Sequence, residues 1–133
     1  MILVDSSVWI DLLGKKPKHK LPVADFVKVY TCPVIIQELL QGVNDDIAHR
    51  RLKTALLALP RLGDPLSTDV HLEAADIYRL ARRKGYTIRS SVDCLVAALA
   101  LRADVPVWHA DRDYTLLSKI TALKVWTGLQ FPS

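Results

Sequence analysis

Met1-Ile2-Leu3-Val4-Asp5-Ser6-Ser7-Val8-Trp9-Ile10 opens the chain. Four apolar residues in succession, with no polar alternation, describe a short strand buried on both faces. The run ends abruptly on an acid and two serines, a polar turn. Val8 to Leu13 then reads as a short helix stopped by Gly14.

The same grammar continues outward from this stretch. Gly14 to Lys20 is a basic loop carrying four lysines and a proline, and Leu21 to Lys28 is a predicted helix. Val29-Tyr30-Thr31-Cys32 is β-prone, and Pro33 suits the first position of a helix that carries Glu38 and ends near Gly42. A helix from about Ile47 to Leu59 is stopped by Pro60; Arg61 to Leu66 is a connection with a short strand expected at its end. Ser67-Thr68-Asp69 caps a helix running to Lys84, with Val70, Ala74, Ile77 and Ala81 as its apolar stripe. Ser90 or Ser91 caps an apolar helix, Val105 to Trp108 is a strand, Tyr114 to Ile120 a short helix, and Leu123 to Trp126 a last strand. Short apolar strands alternating with helices imply an α/β fold with a mainly parallel sheet covered on both faces. No repeat, low-complexity tract or linker divides the 133 residues, so a single domain over 1–133 is expected.

Composition narrows the class. Half of the residues are hydrophobic, which argues against disorder. No apolar run reaches the roughly 18 residues a membrane span requires, and the start lacks the basic region of a signal peptide. Cys32 and Cys94 lie in apolar surroundings and read as buried thiols of a cytoplasmic protein. Eighteen Lys and Arg stand against fourteen Asp and Glu, a net charge of +4.

Four of those acids stand out, because each interrupts an apolar stretch. Asp5 follows the first strand, Glu38 lies in Ile35-Ile36-Gln37-Glu38-Leu39-Leu40, Asp93 is the one charge between Ser90 and Leu101, and Asp111 follows Val107-Trp108-His109-Ala110. Setting them aside leaves eighteen cations against ten acids, a basic body around an acidic pocket that suits a polyanionic substrate. Acids are rarely buried unless paired, and a hard divalent cation, which prefers oxygen ligands, is the natural remedy for a cluster. Each acid also has an ordinary explanation: Asp5 and Asp111 as helix caps, Asp93 as a first-turn acid, Glu38 as part of a capping interaction. Those explanations do not account for all four falling at strand ends and helix starts, on one edge of the sheet, where sites form in open α/β folds. Asp113 stays open as a second ligand, a water-holding group or the helix cap.

At these residues the sequence resembles a PIN-domain ribonuclease of the VapC type, the toxin of VapBC toxin–antitoxin pairs. Val4-Asp5-Ser6-Ser7-Val8-Trp9-Ile10, Ile36-Gln37-Glu38-Leu39-Leu40-Gln41-Gly42, Ser91-Val92-Asp93-Cys94-Leu95-Val96-Ala97-Ala98 and His109-Ala110-Asp111-Arg112-Asp113-Tyr114 carry the match, in order, over nearly the whole chain. The resemblance implies a three-layer α/β/α sandwich and Mg²⁺- or Mn²⁺-dependent cleavage of RNA, leaving a 3′-hydroxyl and a 5′-phosphate. It implies an acidic site of Asp5, Glu38, Asp93 and Asp111, with Asp5, Asp93 and Asp111 holding metal, Ser7 supporting and Asp113 as an additional acid. It further implies a homodimer and a VapB antitoxin whose C-terminal segment enters the groove. Ser6 and Tyr114 stand where threonine and phenylalanine are common.

In the expected reaction one or two cations activate water against an RNA phosphodiester, and Glu38 holds a second metal or deprotonates that water. Lys15, Lys16, Lys18, Lys20, Arg50, Arg51, Arg82, Arg83, Lys84 and Arg89 are candidates for phosphate contacts. Trp9 and Trp108 read as core residues and His109 as a rim histidine. Competing readings are a PIN nuclease of RNA processing outside any toxin pair, a haloacid-dehalogenase-type phosphotransferase with Asp5 as nucleophile, and a non-catalytic scaffold. The second lacks an aspartate at Ser7 and a convincing lysine motif.

Overall fold

The computed structural model describes residues 1–126. Four short strands, β1 (Ile2–Val4), β2 (Val29–Tyr30), β3 (Val107–Trp108) and β4 (Val125–Trp126), form one parallel sheet in the order β2-β1-β3-β4. Leu3 sits opposite Tyr30 on one side and Val107 on the other, so the opening strand is central. Its three residues are fully buried, as continuous apolar strands of a covered sheet must be.

Six α-helices cover the two faces: α1 (Ser6–Leu12), α2 (Pro33–Gln41), α3 (Asp46–Leu57), α4 (Thr68–Arg83), α5 (Ser91–Ala103) and α6 (Arg112–Ile120). They pack in two groups, α1 with α2 and α2 with α3, and α4 with both α5 and α6. The result is the expected three-layer α/β/α sandwich. Helix α5 is apolar nearly all round and buries Cys94, Val96, Ala97, Ala98, Leu99 and Ala100. Helix α4 buries the stripe read from its spacing, Val70, Ala74, Ile77 and Ala81.

Two elements differ from the sequence expectation. Leu21 to Lys28 is not an α-helix; a 3₁₀ helix covers Val23–Lys28 and none of its residues is buried. A short α-helix needs a packed face to persist, and without one the tighter winding prevails. The strand expected at the end of Arg61–Leu66 does not form. A single parallel bridge joins Thr31 to Arg61 instead, at the start of that segment. Gly63 then takes a φ of +64°, and Pro65 has no N–H to give a ladder. A Cβ at Gly63 would lie 2.6 Å from Leu99 Cδ2, so packing as well as φ demands glycine there.

Among the described residues no helix is long and apolar enough to cross a membrane. Both cysteines are buried and unpaired.

Candidate active site

The end of the central strand sets the site. Asp5 is 3% exposed and caps α1, its Oδ2 accepting from the Ser7 N–H at 3.0 Å. The Ser7 hydroxyl donates to the same oxygen at 2.6 Å and accepts from the Ala110 N–H at 3.0 Å. Ser7 therefore ties the acid after β1 to the loop after β3. The Asp5 N–H donates to the Trp108 carbonyl at 2.9 Å, which locks the two strand ends in register.

The other Asp5 oxygen is held from α6. The Tyr114 hydroxyl, fully buried, lies 2.7 Å from Asp5 Oδ1 and 3.2 Å from Asp93 Oδ1. One phenolic proton serves one acceptor, and the shorter contact takes it to Asp5. Burial, the Asp113 side chain and the charges of Asp5 and Asp111 together push the Asp93 carboxyl up to about 8. Burial and the two neighbouring carboxylates raise the Tyr114 phenol far above its ordinary value, so it stays a neutral donor.

Asp111 caps α6, its Oδ1 accepting from the Asp113 N–H at 2.9 Å. Asp113 is fully buried, and its Oδ2 accepts from the N–H groups of Arg89 and Ser90 at 3.1 and 3.2 Å. It thus fixes the backbone that enters α5. The Arg89 guanidinium lies over the rim, 3.4 Å from Asp111 Oδ1 and 3.8 Å from Asp113 Oδ1.

Oxygens of Asp93, Asp111 and Asp113 all lie within 4.8 Å of one another. Asp93 Oδ2 and Asp113 Oδ1 are buried and have no hydrogen-bond partner among the described residues. A buried carboxylate oxygen without a partner is costly, and three converging carboxylates repel. An all-oxygen donor set of this kind fits a hard divalent cation such as Mg²⁺ or Mn²⁺.

Glu38 stands apart from that trio. It is half-buried on α2 and its Oε1 accepts from the Ser6 hydroxyl at 3.3 Å. Burial and the nearby charge of Asp5 raise its carboxyl above the usual value, against the Ser6 hydrogen bond. The structure brings Asp93, Asp111 and Asp113 within ligand range, links Asp5 to Asp93 through Tyr114, and sets Glu38 within the field of Asp5.

The family profile described as PIN domain matches residues 2–120. The chain is 35% identical over 130 residues to VapC ribonuclease Mb1587 of Mycobacterium bovis and to Ribonuclease VapC11 of Mycobacterium tuberculosis, covering 93% of this chain and 96% of each relative. The chain belongs to the PIN-domain family, with the VapC ribonucleases as relatives. Solved structures share the fold at lower identity. FitAcB from Neisseria gonorrhoeae matches with a TM-score of 0.73 at 20% identity, over 98% of this chain and 100% of that one. VapBC-1 from nontypeable Haemophilus influenzae matches with a TM-score of 0.70 at 15% identity, with the same coverage.

Several residues of this PIN domain take places that the sequence did not reveal. Tyr114 is one: a tyrosine in an apolar register needs a buried partner for its hydroxyl, and that requirement was the available signal. Asp11 accepts from the Lys18 and His19 N–H groups and contacts His19 Nδ1 at 2.7 Å, so it anchors the basic loop. Trp9 and Trp108 are core residues, as expected. His109 is half-buried and its ring lies 5.2 Å from that of Tyr114. Burial holds it below the ordinary histidine range, and its Nδ1 accepts from the Asp111 N–H, which leaves the neutral ring's proton on Nε2. Glu73 is half-exposed and paired through both oxygens with Arg102 at 2.8 Å.

Proposed function

We propose that this PIN domain, acting as one unit over residues 1–133, is a Mg²⁺- or Mn²⁺-dependent endoribonuclease. The observation that carries this reading is the convergence of the Asp93, Asp111 and Asp113 oxygens with two buried oxygens unpartnered among the described residues. The relationship to proteins named VapC ribonucleases supports the substrate class.

Asp93 and Asp111, with Asp5 behind them and Asp113 beside them, would hold the cation. When bound, the cation supplies polarisation of the phosphoryl oxygen and acidifies water at neutral pH. Ser7 and Tyr114 keep Asp5 oriented, one on each of its oxygens. Glu38 takes the proton of the attacking water; its raised affinity for protons suits that task better than an ordinary glutamate would. Asp5, Glu38, Asp93 and Asp111 are the catalytic acids of this reading, and Ser7 and Asp113 support them. In-line attack leaves a 3′-hydroxyl and a 5′-phosphate.

The relatives support a biological setting. The solved neighbours include VapBC-5 of Mycobacterium tuberculosis, a member of the VapBC family of toxin–antitoxin systems, and the VapBC structures of Haemophilus influenzae and Rickettsia felis. On that ground this chain is the toxin of a type II pair that cuts tRNA, rRNA or mRNA in the cytoplasm and arrests growth. It works as a homodimer and is restrained by a VapB-type antitoxin. A groove of about 480 Å³ lined by Trp9, Leu12, Leu21 and Phe26, with Leu13 exposed at its edge and Ile10, Val23 and Val27 exposed nearby in the chain, supports a protein partner there. Purified protein with Mg²⁺ or Mn²⁺ should cut RNA, and Asp5→Asn or chelation should stop the cut. Cleavage that survives both would overturn the metal-dependent mechanism at these acids, and unrestrained growth on induction would overturn the toxin reading.

A further inference from the structure

Arg89 has an arrangement that the acidic centre alone does not explain. Its main-chain N–H is pinned by Asp113 Oδ2 at 3.1 Å, so the root of the side chain is fixed at the rim of the carboxylate pocket. Its side chain is nevertheless 61% exposed, and the guanidinium reaches inward to Asp111 and Asp113. Among the described residues it is the one Lys or Arg side chain paired with the pocket acids; the remaining Lys and Arg ion pairs, Lys28–Asp25, Arg61–Asp64, Arg102–Glu73 and Lys124–Asp104, lie elsewhere.

We infer that Arg89 alternates between two anions, Asp111 when the centre is free of cation and a non-bridging oxygen of the RNA phosphate when cation and substrate are bound. This rests on the metal-dependent ribonuclease reading above. An exposed ion pair with a 3.4 Å contact is weak, so the Arg89 guanidinium would leave Asp111 at little cost if that carboxylate held a divalent cation. The freed group is still held at the rim by its backbone. The nearest uncompensated anion is then the phosphate drawn to the same cation, and the planar fork of arginine matches two phosphate oxygens as lysine does not. Arg89 is accordingly both a competitor of the cation and a ligand of the substrate.

The two duties predict opposite effects of one substitution. Arg89→Gln keeps the main-chain N–H that Asp113 uses, so the fold and its melting temperature should hold. Its Mn²⁺ affinity, measured by calorimetry without RNA, should rise by roughly two- to fivefold, the range of an exposed ion pair. Its cleavage of total bacterial RNA at saturating Mn²⁺ should fall by about tenfold or more, the loss of a charge-assisted contact. Arg89→Lys should keep most of the competition and little of the cleavage. Lys53→Gln, on the exposed face of α3, removes the same charge and should change neither quantity. Unchanged or weaker Mn²⁺ binding in Arg89→Gln, or undiminished cleavage, overturns the inference while a wild type that binds Mn²⁺ and cuts RNA keeps the parent reading. A wild type that binds no Mn²⁺ overturns both.

Discussion

Tyr114 donates its hydroxyl hydrogen to Asp5 Oδ1 across 2.7 Å, joining the last described helix to the end of the first strand. The bond lies on the buried floor of the acidic pocket, 3.2 Å from Asp93 Oδ1, so one hydroxyl spaces two acids that would otherwise repel. Tyr114→Phe preserves the ring and its packing and deletes that spacer. Loss of a hydrogen bond to a charged group should lower unfolding free energy by about 1.5–3 kcal/mol in chelator. Saturating Mn²⁺ should recover much of the loss, since the cation takes over the spacing of the acids. Denaturant melts with and without Mn²⁺ measure both quantities, and equal losses in the two conditions would refute the spacer role.

Asp93 makes the stability of the metal-free protein depend on pH in an unusual direction for an acid. Its folded-state value lies near 8 against an ordinary 3.8, so the folded chain holds a proton that the unfolded chain has released. Stability from this group is complete at low pH and is lost as pH rises through the interval up to about 8. Glu38, also raised, acts in the same direction. Asp93→Asn imitates the protonated acid and is indifferent to pH. In chelator, variant and wild type should melt close together near pH 4, and the variant should be the more stable at pH 8. A constant difference between them across this range would contradict the assignment.

The sheet and the α/β class were readable because their signals are short-range. Met1 to Val4 is continuously apolar, and only a strand covered on both faces has a use for that pattern. Capping a helix and lining the acidic pocket do not compete. Asp5 and Asp111 both cap helices, and the helix starts are what bring them to one edge. What was not legible depends on contacts between distant residues. The Tyr114–Asp5 bond spans 109 positions and the Ser7–Ala110 bond 103, and nothing local marks either. Leu21 to Lys28 misled because its pattern is helical while none of the residues of its 3₁₀ helix is buried.

Glu38 and the aspartates should separate by function. Glu38→Gln keeps an acceptor for the Ser6 hydroxyl and removes the proton acceptor. With Asp93, Asp111 and Asp113 intact, Mn²⁺ affinity should change little. Cleavage at saturating Mn²⁺ should drop about 10²- to 10⁴-fold, the usual worth of a general base. A matching fall in Mn²⁺ affinity would instead make Glu38 a ligand.

Asp113 carries two loads on its two oxygens, and two substitutions separate them. Oδ2 accepts from the Arg89 and Ser90 N–H groups at the entrance to α5, whereas Oδ1 is buried beside Asp93 and Asp111 with no partner among the described residues. Asp113→Asn retains one carbonyl oxygen for the two amides and loses the charge. It should fold with near-native stability, or better in chelator because a buried like charge is gone, and bind Mn²⁺ at least about tenfold more weakly if Asp113 is a ligand or its close support. Asp113→Ala strands both amides as well and should lose a further 1–3 kcal/mol or about that of stability. Melting curves and Mn²⁺ titrations of the pair decide the matter. An Asn variant that binds Mn²⁺ like the wild type would leave Asp113 with the entrance of α5 alone.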